Sequence, residues 1–199
     1  MFIQIIQGRC TRQDELRALT DTWRDELGPG AAGWLGGTYG FTDDDQFVGV
    51  VRFESREAAM VNSARPEQGE WAEQMTALLD GPAEFHDTDD VTLMMDGGSD
   101  SAGFVQVIRG KVAEPARLKA LMTDTETLHE MRPDIIGASL AFEDDGTFTE
   151  TVAFSGEAAA REAEGQDQPA MPAEVRETLD LAMQGATFYD LHHPWFASA

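Results

Sequence analysis

The sequence predicts an α+β fold made of two β-α-β-β-α-β repeats in one chain. Two observations carry that prediction. The segment FIQIIQG at residues 2–8 returns as FVQVIRG at residues 104–110. After each copy, the apolar residues pass from strand alternation to helical spacing and back in the same order.

The repetition runs from end to end. Phe2, Gln4, Ile6 and Gly8 recur as Phe104, Gln106, Ile108 and Gly110. Leu16, Ala18 and Leu19 return as Leu118, Ala120 and Leu121, and Pro29 and Gly33 return as Pro133 and Gly137. Phe47 and Phe53 return as Phe148 and Phe154, and Phe85 and Asp87 as Phe188 and Asp190. The spacing drifts only where a surface loop can absorb an insertion. The Gly-, Asp- and Ser-rich DGGSDS reads as the join. It divides the chain into a first repeat at 1–96, a linker at 97–101 and a second repeat at 102–199.

Each element has a local reason. Residues 2–7 alternate, with Phe2, Gln4 and Ile6 on one face and Ile3, Ile5 and Gln7 on the other. In TRQDELRALTDTWRDEL, Thr11 is the expected cap with Asp14 three places on, and Leu16, Leu19, Trp23 and Leu27 form one apolar stripe. Gly28-Pro29-Gly30 stops that helix. Residues 33–53 read as a hairpin or two adjacent antiparallel strands around the turn TDDDQ. Ser55 caps REAAMVN, Arg65-Pro66 interrupts, and a second helical piece carries Trp71, Met75, Leu78 and Leu79. AEFHDTDDVTLM then supplies one strand or two short pieces. In the second half, Leu118, Leu121, Met122 and Leu128 mark the first helix, and Asp145-Gly146 marks the hairpin turn before a strand at 147–154. Ser155 caps a short helix over AAAREAE, and Pro169 and Pro172 break the path before AEVRETLDLAM and a closing ATFYDLHHPWF.

Composition narrows the function. The 199 residues carry a net charge of −23 and are 42% hydrophobic, enough for a real core. Lys111 and Lys119 are the lysines, so the chain lacks the basic footprint that nucleic acid needs. No apolar run approaches membrane-spanning length, and MFIQIIQGR enters a strand pattern without a basic leader, so no membrane and no signal peptide are expected. The single cysteine, Cys10, reads as inert and fits a cytoplasmic protein. The acidity is either an ordinary soluble surface or an adaptation to high salt, where screening relieves self-repulsion.

Each half is ferredoxin-like by element order, and its helices would cover only one face of its sheet. Paired units of this kind resemble the dimeric α/β-barrel superfamily, which includes the antibiotic-biosynthesis monooxygenase-like proteins; here they form a fused tandem repeat spanning about 2–94 and 104–196. The resemblance implies that the two antiparallel sheets pack as an intramolecular dimeric α/β barrel, so that a monomer forms its own pseudo-dimer and further homodimerisation stays open. It also implies a small-molecule ligand. The expected activity is that of a cofactor-independent monooxygenase-like enzyme acting on a small aromatic or quinone-like metabolite. The alternatives are a non-catalytic binding or carrier protein, or an interaction module with a filled cavity.

The candidate residues follow from symmetry and its failure. Gln4 and Gln106 hold equal places in the two first strands; they either orient a polar ligand in an intersheet cavity or bond to each other, to threonines or to water. NSARPEQGEW at 62–71 has no clean echo in AEGQDQPAMP at 163–172. Asn62, Arg65, Gln68 and Trp71 therefore become ligand-binding candidates, with Arg65 answering an oxyanion and the indole stacking on a flat ligand. The plainer reading gives Pro66 to a helix start, Trp71 to packing and Arg65 to a local acid. His86, between Phe85 and Asp87, is the candidate for proton transfer, or a solvated strand histidine. No metal is expected from His86, His129 and His192-His193, because no ligand spacing joins them. Asp43–Asp45 and Asp144–Asp145 read as turns rather than a calcium loop. GWLGGTYG at 33–40 is no phosphate loop, and no nucleophile elbow marks a serine.

Overall fold

The computed structural model describes residues 1–95, 97–123, 132–165 and 173–198. Leu128, His129, Pro169 and Pro172 lie outside the described residues. The chain forms two compact units, Met1–Asp89 with Trp195–Ala199, and Asp90–Pro194.

The first unit runs β1 (Phe2–Arg9), α1 (Gln13–Thr22), β2 (Trp34–Phe41), β3 (Gln46–Phe53), α2 (Arg56–Ser63), α3 (Pro66–Leu78) and β4 (Glu84–Thr88). The second runs β5 (Asp90–Met94), β6 (Phe104–Lys111), α4 (Pro115–Met122), β7 (Ile135–Phe142), β8 (Thr147–Phe154), α5 (Glu157–Gly165), α6 (Ala173–Met183) and β9 (Thr187–Leu191). A last strand, β10 (Trp195–Ser198), pairs with β2. The two antiparallel sheets have the orders β10-β2-β3-β1-β4 and β5-β7-β8-β6-β9. The fold is α+β, as the element order predicts. AEFHDTDDVTLM does break into two short strands, and they go to different sheets: β4 pairs with β1, β5 with β7.

The repeat is legible down to register, with one correction: Gly137 answers Gly36 and not Gly33. Phe2 faces Phe53 and Gly8 faces Phe47, while Phe104 faces Phe154 and Gly110 faces Phe148. Each second strand slips at the same place, between Trp34 and Gly36 and between Ile135 and Gly137. Such a bulge re-aims the strand. Gly36 sits at φ +134°, where an added Cβ would lie 2.7 Å from the carbonyl oxygen of Ala197, so only glycine lets β10 close on this edge.

Alternation sorts the side chains. Phe2, Ile6, Phe47, Val51 and Phe53 pack with Leu16, Trp23, Ala59, Met75 and Leu79 of the helical layer. Phe104, Ile108, Phe148, Val152 and Phe154 pack with Leu118, Met122 and Ala182 in the second unit. The opposite faces, with Ile3, Ile5, Val48 and Val50 and with Val105 and Val107, are buried as well. Burial of this kind contributes about 1.5–3 kcal/mol per large apolar side chain.

Helix ends follow local chemistry, with one correction. The Ser55 hydroxyl accepts from the Ala58 N–H at 3.1 Å and starts α2. Thr11 does not cap α1: its N–H donates to Asp80 Oδ2 at 2.7 Å, and the cap position falls to Arg12 without a side-chain bond. Asp80 engages both the N–H and the hydroxyl of Thr11, which commits that side chain away from the helix start. Beyond α1 the chain widens into a π-helical turn, Trp23–Leu27, before Gly28–Gly30 end it. Among the described residues no helix is long and apolar enough to cross a membrane.

Candidate functional site

A cavity of about 50 Å³ lies in the first unit between the helix-covered face of the sheet and the helices. Its sheet side is Gln4, Ile6, Tyr39, Phe47, Val51 and Phe53, and its helix side includes Trp23, Asn62, Gln68, Trp71 and Met75. That volume admits a few water-sized occupants, since one water needs roughly 10–15 Å³ on this measure. A wider hollow of about 580 Å³ lies along α6 between Arg176, Glu177, Asp180, Leu181 and Gln184. It is an open surface depression, and the inner cavity, with its buried amide Asn62, is the better candidate.

The amides are oriented by chemistry. Asn62 is 5% exposed, and its Oδ1 accepts from Arg65 Nη1 at 2.9 Å. Gln68 Oε1 accepts from the Trp23 indole N–H at 2.6 Å. Arginine and indole can only donate, so both amides must turn their oxygens to these partners, which leaves their NH2 groups free of those two contacts. The result is two neutral donors in an aromatic surround. Trp23 meets Trp71 edge-on at a centroid distance of 6.3 Å and Trp34 at 4.9 Å. Trp71 is held by its own N–H, which donates to the Leu19 carbonyl at 3.0 Å.

Arg65 stands just before Pro66, at φ −70° and ψ 132°, the extended conformation a following proline favours. Its guanidinium bonds to Glu67 at 3.0 Å and to the Leu27 carbonyl at 3.1 Å as well as to Asn62. It joins the α2–α3 break to the end of the π-helical turn and stands behind the cavity wall, with Asn62 between it and the interior. Tyr39 contributes a phenol whose pKa burial pushes up to about 12, so near neutrality it remains protonated.

The sequence candidates separate into groups. Gln4, Asn62, Gln68 and Trp71 come together at the cavity. Gln4 does not point into an intersheet space: it shares a face with Phe2 and Ile6, toward the helices, and its Nε2 donates to Asp87 Oδ1 at 3.0 Å. Gln106 does the same in the second unit, donating to Asp190 Oδ1 at 2.8 Å. His86 stands opposite Ile5 in the β1–β4 register, so it projects from the other face, 3.8 Å from the Glu84 carboxylate, away from the amides. Alternation dictates this, since Gln4 and Ile5 are adjacent. His192 pairs with Glu157 at 2.7 Å, and among the described residues no three His, Cys, Asp or Glu side chains gather as a metal site. Cys10 is buried, and burial raises its thiol pKa, which leaves it unreactive.

Three features escaped the sequence reading. The sequence places Trp23 only in an apolar stripe, and nothing in the pattern singles out Tyr39. Glu150 is 7% exposed at the centre of β8, and its pKa is pushed up to about 7 by burial, against a downward pull from Arg132.

No family model matches the chain, and no curated protein matches it in sequence. Solved structures do share its fold. A Lactobacillus acidophilus NCFM protein provisionally named a monooxygenase superposes with a TM-score of 0.73 at 13% identity, over 100% of this chain and 97% of that one. A Fusobacterium nucleatum protein of the same provisional name gives 0.75 at 9% identity, over 99% and 94%. An anthrone oxidase-like protein gives 0.64 at 11% identity, over 100% and 94%. The chain thus shares the fold of these proteins, two ferredoxin-like repeats in one chain.

Proposed function

We propose that the first unit binds a small planar molecule against Trp23 and Trp71, and that the protein is a cofactor-independent monooxygenase-like enzyme of the cytoplasm. The observation that carries this reading is an aromatic cavity lined by two amides, Asn62 and Gln68, whose oxygens are taken by partners that can only donate. The names of the structural neighbours support the reaction class.

The chemistry follows from the lining. Its residues include no carboxylate, histidine or lysine. The substrate must therefore be an acid in its own right, a phenol or enol that ionises to water and leaves an electron-rich anion. The two amides and the Tyr39 phenol stabilise the oxyanion by preorganised donation. Such an anion can reduce dioxygen itself: a CH2 between aromatic rings becomes C=O, one oxygen atom enters, and the other leaves as water. Arg65 acts as a positioning residue that holds the Asn62 amide, and His86 has no place in this scheme. At about 50 Å³ the cavity admits a ring only after its wall yields. That small volume also favours a second reading, an interior filled by its own side chains.

The test is oxygen uptake with anthrone under 18O2. Protein-dependent incorporation of one labelled oxygen is expected, and Asn62→Ala should lower turnover by roughly 10²–10³-fold, the effect of losing one oxyanion donor. No protein-dependent uptake, or a folded Asn62→Ala chain with the parent's rate, rejects the enzyme reading.

A further inference from the structure

The second unit holds a buried acid that its own packing does not explain. Glu150 lies in the middle strand of its sheet. Ile108 and Leu140 stand opposite it in register, and Phe148 and Val152 share its face along β8; all four are buried. Its carboxyl takes no hydrogen bond and forms no ion pair among the described residues. Arg132, the charge that acts on it, is committed to Asp134 through bonds of 3.0 and 2.8 Å. The other carboxylates on this face are matched: Asp190 by Gln106 and Arg161, Asp90 by Lys119.

A buried, unbonded carboxyl lowers stability unless something bonds to it. The fold does not require one here. The equivalent place in the first unit is Gly49, opposite Ile6 and Tyr39 as Glu150 is opposite Ile108 and Leu140. We propose that the helix-covered face of the second sheet is a separate binding site, in which Glu150 anchors a small uncharged molecule that brings one hydroxyl group into an apolar surround. The carboxylate is an acceptor only, so it selects a donor, and a charge-assisted O–H···O⁻ bond is the strong form of that contact. The four apolar neighbours disfavour any further polar or charged group on the ligand, because each would be desolvated without a partner. The assignment does not rest on the oxygenase reading of the first unit.

Phenol is the probe. With the full chain carrying 13Cδ-labelled glutamate, the Glu150 carboxyl resonance is the one missing from Glu150→Gln. At pH 8, above its pKa of about 7, phenol should shift that resonance saturably, and Asn62→Ala should leave the shift unchanged. Glu150→Leu, read by calorimetry in the Asn62→Ala background, should lose at least about tenfold in phenol affinity. If Glu150→Leu does not fold, Glu150→Gln keeps the shape, removes the anionic acceptor and should show the same loss. A Glu150 resonance that phenol leaves in place, or a folded Glu150 variant that binds as tightly as its parent, overturns the assignment.

Discussion

The two units share their edges and differ at their centres. At the edge, Gln4 bonds Asp87 as Gln106 bonds Asp190, and Arg56 covers the Phe2 ring as Arg161 covers Phe104. At the centre, the first unit pairs Gly49 with Tyr39, and the second pairs Glu150 with Leu140. All four tryptophans of the chain, Trp23, Trp34, Trp71 and Trp195, belong to the first unit. The shared edge contacts fasten the outer strand to the first strand, which any copy of this fold must do. The central positions touch the interior between sheet and helices, and there the two copies have taken different chemistry: neutral donors among indoles in one, a lone carboxyl among aliphatic and phenyl groups in the other.

Transplanting one centre into the other should break the first. A Cβ at Gly49 would lie 3.1 Å from the Tyr39 ring and 3.2 Å from the Phe47 ring. Gly49→Glu should therefore destabilise the chain by roughly 2–5 kcal/mol, from overpacking plus an unbonded buried carboxyl. Adding Tyr39→Leu should recover part of that loss. Urea denaturation of the single and double variants measures both; a neutral Gly49→Glu would mean that this position does not face a packed interior.

The second centre should show itself in pH. The folded pKa of Glu150 is raised from 4.5 to about 7, so between those values the folded state holds more proton than the unfolded one. Its contribution therefore makes stability fall as pH rises through about 4.5 to 7, by about 3 kcal/mol in all. Glu150→Leu should remove that decline and leave the chain more stable than the parent at pH 8. Denaturation midpoints of the two chains across pH 5–8 decide it, and parallel curves would show that Glu150 is not a buried, unmatched acid.

The smallest of these effects belongs to Arg65. Its 3.0 Å contact with Glu67 is partly exposed, and pairs of that kind contribute little, about 0–1 kcal/mol. Its bonds to the Leu27 carbonyl and Asn62 are better protected. Arg65→Ala should cost about 1–2 kcal/mol of stability and lower kcat with KM nearly unchanged, because it releases the Asn62 amide without removing a ligand contact. A fall in affinity alone would return Arg65 to the ligand-binding set.

Much of this was written in the sequence. Paired Phe, Gln, Ile and Gly in two strands announced the repeat, and the missing echo of NSARPEQGEW located Asn62, Gln68 and Trp71. The role of Arg65 was not legible, because its partner carbonyl at Leu27 is far away in the chain. The split of β4 from β5 was hidden for a related reason: alternation identifies a strand but not the sheet that will accept it. Glu150 was legible and missed. Phe148 and Phe154 were already matched to core phenylalanines, and strict alternation in TFTETVAF puts Glu150 on their face.

The most direct test of divergent centres is an anaerobic anthrone titration of the full chain carrying 15N-indole tryptophan and 13Cδ-glutamate labels. The Trp23 and Trp71 indole signals should shift saturably, and Asn62→Ala should weaken that response. Shifts confined to the Glu150 carboxyl, with all four indoles unmoved, would contradict the placement of the planar-ligand site in the first unit.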